Sequence, residues 1–105
     1  LGTLAGEATA VIDAMVEQEF DRCVTVDSRG TVEIALDRLA GKTPYLLREL
    51  LMAVWRRRAW PMQAMSMAKW DELAAMAMSP AAARRDFPGE IAVAVADGVM
   101  RMQRH

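Results

Sequence analysis

Two stretches of this 105-residue chain bring together groups with chemical potential. The first is Trp55-Arg56-Arg57-Arg58-Ala59-Trp60, with three guanidinium groups between two indoles, and the second is Arg84-Arg85. A guanidinium grips phosphate through two parallel N–H donors and stacks on bases, and an indole offers a stacking face. The pattern therefore suits a polyanion. It also suits a plainer role, with the indoles in a core and the arginines as a solvated last turn favoured by the helix dipole. The residues alone favour the plainer role, because helix ends are often basic.

Charge placement bears on the choice. Residues 1–41 carry three basic side chains (Arg22, Arg29, Arg38) against eight acidic ones, whereas residues 42–105 carry ten against six. The net charge of −1 is thus a sum of −5 and +4, and only the second part attracts a polyanion.

Catalysis is poorly provided for. The single histidine, His105, is the last residue, which argues against a His-based triad or a His metal site. The sequence has no Gly-rich phosphate loop, no Cys-x-x-Cys and no Gly-x-Ser-x-Gly. Its carboxylates are scattered rather than paired within an apolar pocket. Cys23 stands alone among apolar positions and reads as a buried thiol in a reducing compartment. Nine methionines, several of them at Met62, Met65, Met67, Met76 and Met78, are more simply core filler than a binding groove.

Several elements must position these groups. At this length the chain buries one core, so a single domain spanning 1–105 is expected. Leu4, Ala8, Val11, Ile12, Met15, Val16, Phe20 and Cys23 follow three-to-four spacing and predict a long amphipathic helix. Glu7, Asp13, Glu17 and Asp21 lie off that face. Val32, Ile34 and Leu36 switch to period two, predicting a strand at 31–36 with a weaker partner at 24–26 across the turn Asp27-Ser28-Arg29-Gly30.

Thr43 and Pro44 open a second helix with Leu46, Leu47, Leu50, Leu51, Val54 and Trp55 inward, which Pro61 is expected to stop. Ser66 caps a third, with Met67, Trp70, Leu73, Ala74 and Ala77 inward, ended by Ser79-Pro80. Ala81 to Ala83 reads as a loop. Asp97-Gly98 predicts a two-residue type I′ hairpin turn. With those two as the loop, Val95 faces Met100, Val93 faces Met102 and Ile91 lies beside Arg104, leaving Ala92, Ala94, Arg101 and Gln103 on the other surface. The fold class is α+β: three helices packed with a small, mainly antiparallel sheet and a C-terminal β-hairpin. No apolar run approaches the roughly 20 residues of a membrane span.

The order of these motifs resembles a known family. Val32-Glu33-Ile34-Ala35-Leu36-Asp37, Leu46-Leu47-Arg48-Glu49-Leu50-Leu51, Arg57-Arg58-Ala59-Trp60, Met65-Ser66-Met67-Ala68-Lys69-Trp70-Asp71-Glu72-Leu73 and Phe87-Pro88-Gly89 are similar to the substrate-binding domain of tRNA(Ile)-lysidine synthetases. Where that family commonly has a second glycine this chain has Glu90, and Lys69 stands where histidine is frequent. The family's ATP-binding Ser-Gly-Gly-x-Asp-Ser loop is absent from the sequence.

The resemblance implies a piece of a cytoplasmic enzyme that activates the wobble cytidine of an isoleucine tRNA with ATP and joins it to lysine. ATP and the catalytic residues would belong to an upstream catalytic domain, and this domain, without a cofactor or activity of its own, would position the tRNA. Charge placement then makes Arg56, Arg57, Arg58, Arg84 and Arg85 the first candidates for phosphate contacts. Lys42, Arg48, Lys69 and Arg101 are the outer members. The competing expectation is a linker domain that docks on its own catalytic domain through an exposed Trp60 and the methionines.

Overall fold

A computed structural model describes the backbone of residues 2–79 and 81–105, and the side chains of 10–79 and 81–105. The elements in chain order are α1 (Gly2–Cys23), β1 (Val24–Val26), β2 (Val32–Ala35), a 3₁₀ turn at Leu36–Leu39, α2 (Pro44–Arg58), a second 3₁₀ turn at Met62–Ala64, α3 (Met67–Met78), β3 (Ala83–Phe87), β4 (Ile91–Ala96) and β5 (Val99–Arg104). The fold is α+β, as the change of periodicity predicts. All strand pairs are antiparallel, and the sheet order is β1-β2-β5-β4-β3.

The β4–β5 hairpin has the expected register. Val95 pairs with Met100, Val93 with Met102 and Ile91 with Arg104, across a turn in which Asp97 (φ 53°) and Gly98 (φ 76°) are both left-handed. One sheet face, with Val32, Ile34, Ile91, Val93, Val95, Met100 and Met102 buried, forms the core with the helices. The opposite face is open. On it one row runs Arg84, Ala94, Arg101, Glu33 and Thr25 across all five strands.

β3 is absent from the hydrophobic pattern. Ala83, read as loop, is its first residue, and of its five residues only Phe87 is buried. An edge strand needs only one well-placed apolar anchor, so period-two alternation fails to reveal it. The strand at β2 is also shorter than 31–36, because Leu36 already begins the 3₁₀ turn. Glu90, where the resembled family has glycine, adopts φ 63° in the turn that leads into β4. Glycine reaches that conformation at least cost.

Local chemistry explains where α2 begins and ends. Thr43 Oγ1 accepts the Leu46 N–H at 3.2 Å, and Pro44 takes the first position, where its missing donor costs nothing. The far end is set by Ala59 rather than Pro61. Ala59 is left-handed (φ 56°), its N–H donates to Arg56 O, and the Trp60 N–H reaches back to Trp55 O at 2.9 Å. This is a Schellman cap, and the Trp55 and Trp60 rings meet edge to face at 4.9 Å across it. A left-handed alanine costs about 1–2 kcal/mol, which the two hydrogen bonds and the ring contact offset.

Trp70 from α3 completes the aromatic cluster at 5.2 Å from Trp55. Leu50, Leu51, Val54, Trp55 and Leu73 are fully buried beside it. Trp55 Nε1 is buried with no hydrogen-bond partner among the described residues, so packing here outweighs one unsatisfied donor.

The helical faces need three corrections. Val11 (59% exposed) and Met15 (46%) lie outside the core, because α1 packs through Ile12, Val16, Phe20 and Cys23. Met67 (60% exposed) precedes the inward stripe of α3, being the first residue after the Ser66 cap. α3 ends at Ser79 as expected. Pro80 and the side chains of Leu4, Glu7 and Ala8 lie outside the described residues.

Candidate nucleic-acid interface

The two indoles flanking the arginine run are core. Trp55 is fully buried and Trp60 is 6% exposed, so neither offers a stacking face, and the expectation of an exposed Trp60 is corrected by its place in the Schellman cap. The clustered methionines also divide: Met65 is buried, Met62 and Met76 are half-buried, and Met67 and Met78 are exposed.

Adjacent arginines go to different places. Successive helical residues are rotated by about 100°. Arg56 and Arg57 border a crevice against α1 shared with Asp13, Glu17 and Glu49. Arg57 pairs with Glu17 and lies 3.8 Å above the Phe20 ring. Arg58 faces the other way, next to the β1–β2 turn. Strand alternation likewise separates the second pair: Arg84 lies on the open sheet face, whereas Arg85 points to the helices and sits 3.4 Å from Glu72.

All four outer members have a carboxylate partner. Arg48 donates to Asp71 at 2.8 Å, Arg101 to Glu33 at 2.7 Å, and Lys42 lies 3.4 Å from Glu19. Lys69 Nζ and Arg85 Nη2 each approach Glu72 Oε2 at 3.4 Å, yet that oxygen accepts no hydrogen bond, so the contact is Coulombic. Exposed pairs contribute roughly 0.2–1 kcal/mol each to stability. Their effect on an incoming polyanion is larger, since each carboxylate cancels a cation.

Among the described residues Arg29, Arg38, Arg56, Arg58, Arg84 and Arg104 have no carboxylate partner; Arg29, Arg58 and Arg104 lie together beside the β1–β2 turn, whereas Arg84 is on the edge strand β3. Arg29 and Arg104 are not prominent in the sequence, because 75 positions separate them. The β2–β5 register joins them. Val32 pairs with Met102 and the Thr31 hydroxyl donates to Gln103 Oε1 at 3.2 Å, so the next step outward brings Gly30 beside Arg104. Arg29, Gly30, Arg58, Trp60, Gln103 and Arg104 line an open hollow of about 270 Å³ that has no acidic wall. A second hollow on the open sheet face has Arg84, Arg101 and Asp86 among its lining residues, and Gln103 borders both.

A buried carboxylate was also missed. Glu19, on the inner side of α1, accepts from Arg22 at 2.7 Å, lies near Lys42 and receives the Cys23 thiol at 3.6 Å. Burial alone would raise its pKa, but the hydrogen bonds from Arg22 and Lys42 outweigh that and hold it below the ordinary value of 4.5. Burial pushes the Cys23 thiol up, which keeps it protonated and unreactive. Reciprocal bonds from Arg22 to Arg38 O and from Arg38 to Arg22 O, both 2.8 Å, tie this node to the 3₁₀ turn. The spacing Glu19, Arg22, Cys23 on one helical side was the available signal.

Among the described residues no group of His, Cys, Asp and Glu is arranged to hold a metal ion, and no helix is long and apolar enough to cross a membrane. The chain matches no family model, no curated protein and no solved structure.

Proposed function

We propose that this chain is the tRNA-positioning domain of a cytoplasmic tRNA(Ile)-lysidine synthetase, acting beside a catalytic domain that binds ATP. The order of the sequence motifs supports the family reading. The observation that carries RNA binding is the acid-free hollow at Gly30, continued across the sheet face toward Arg84. Phosphate recognition needs cations that are not already neutralised, and this side of the molecule supplies them. Since Trp55 and Trp60 are core, contact is through phosphates and not through stacking on these indoles.

The test is tRNA binding by the chain itself, followed by fluorescence anisotropy over a range of salt concentrations. Counterion release gives a log–log slope of roughly −0.7 to −0.9 per phosphate, so four contacts yield about −3. Weak binding with that slope, and no lysidine formation by the chain alone, is the expected result. A salt-independent interaction, or none, rejects the reading.

A further inference from the structure

We infer that Arg29, Arg58 and Arg104 form a clamp for one phosphate group of a polynucleotide, set over Gly30. The inference rests on the RNA-binding reading and names a subsite within it. The three guanidinium groups come from the β1–β2 turn, the end of α2 and the end of β5. Three like charges around one hollow repel each other at a cost that a bound oxyanion relieves.

The turn that carries them is fixed. Asp27 Oδ1 accepts the N–H groups of Arg29 at 2.8 Å and Thr31 at 3.0 Å, and Gly30 N–H donates to Asp27 O at 3.1 Å. Asp27 is the nearest carboxylate in sequence to Arg29, and its Oδ1 is occupied in holding the turn. Gly30 is left-handed (φ 83°), and a β-carbon there would lie 2.8 Å from Arg58 Nη2. Glycine thus serves two ends: it closes the turn, and it leaves room for the Arg58 guanidinium to lie across the backbone. Gln103, held by Thr31, adds a neutral amide to the wall. Three arginines lining one hollow that has no acidic residue in its wall suit the oxygens of a phosphate group.

Arg29→Gln, Arg58→Gln and Arg104→Gln, made singly in the full chain, test the clamp against Arg56→Gln, which changes a neighbour of Arg58 in the acidic crevice. Each clamp variant is expected to bind tRNA about tenfold more weakly, the effect of one charge-assisted contact, with a shallower salt slope. Arg56→Gln should change affinity less than twofold. Inorganic phosphate, titrated while the Gly30 amide resonance is followed, should give a saturable shift that disappears in Arg29→Gln and Arg104→Gln.

If tRNA binds but Arg29→Gln and Arg104→Gln match the parent, the clamp is wrong and the RNA-binding reading stands. If tRNA fails to bind while phosphate shifts Gly30 in the parent alone, the anion clamp stands and the RNA reading falls. Absence of both signals overturns both. Melting temperatures within about 2 °C of the parent show that the variants remain folded, as expected for surface substitutions.

Discussion

The crevice between α1 and α2 and the hollow beside the β1–β2 turn are both lined by arginines, but they handle charge in opposite ways. In the crevice, Arg56 and Arg57 stand among Asp13, Glu17 and Glu49, and Arg57 is held by Glu17 and Phe20. In the hollow, three arginines meet without a carboxylate. The first arrangement joins two helices, and the second leaves its arginines without a carboxylate partner among the described residues. A basic run in the sequence is therefore one feature in the chain and two in space, divided by the rotation of a helix and the left-handed cap that ends it.

The largest expected effect comes from removing the support common to both regions. Trp70→Ala empties one side of the aromatic cluster that holds the last turn of α2 and should cost on the order of 3–5 kcal/mol in urea denaturation. A loss under about 1 kcal/mol would mean that the cluster does not anchor that turn.

Glu19 sharpens the contrast from the acidic side. Glu19→Gln should cost about 1–2 kcal/mol at neutral pH, the scale of hydrogen bonds to a charged group. Its folded pKa is lowered, so the carboxylate's contribution is full above the ordinary 4.5 and is lost as pH falls through the lower folded value. Melting curves from pH 7 to pH 3 should accordingly converge for parent and variant. Parallel curves would show that Glu19 ionisation is not coupled to folding.

The smallest effect separates neighbouring arginines directly. Arg57→Gln removes an ion pair and a cation–π contact and should destabilise by about 0.5–1 kcal/mol, whereas Arg58→Gln, with no such partner, should leave stability unchanged or slightly raised. Equal losses would erase the distinction between crevice and hollow.

Much of the scaffold was legible because its signals are local. Asp97-Gly98 determines both turn type and register, so the pairing of β4 with β5 follows residue by residue. Thr43-Pro44 and Ser66 identify helix starts by their hydrogen-bonding chemistry. The α2 terminus was less visible, since an alanine adopts the conformation in which glycine is the usual signal. The candidate site was harder still. Its members Arg29 and Arg104 meet only through the β2–β5 pairing, a long-range contact without a mark at either position. Runs of like charge drew attention to Arg56 and Arg57, which border an acidic crevice against α1, where Glu17 pairs with Arg57.

β3 has a bearing on the molecule's solubility. It closes one side of the sheet, and a sheet margin exposes unpaired N–H and C=O groups to which another chain can add as a further strand. Here that margin is five residues long and carries Arg84, Arg85 and Asp86 in succession. The opposite margin, β1, is only three residues long. Charge on one border and brevity on the other discourage fibre-like growth, so the three polar residues that conceal β3 from hydrophobic periodicity also help keep the sheet at five strands.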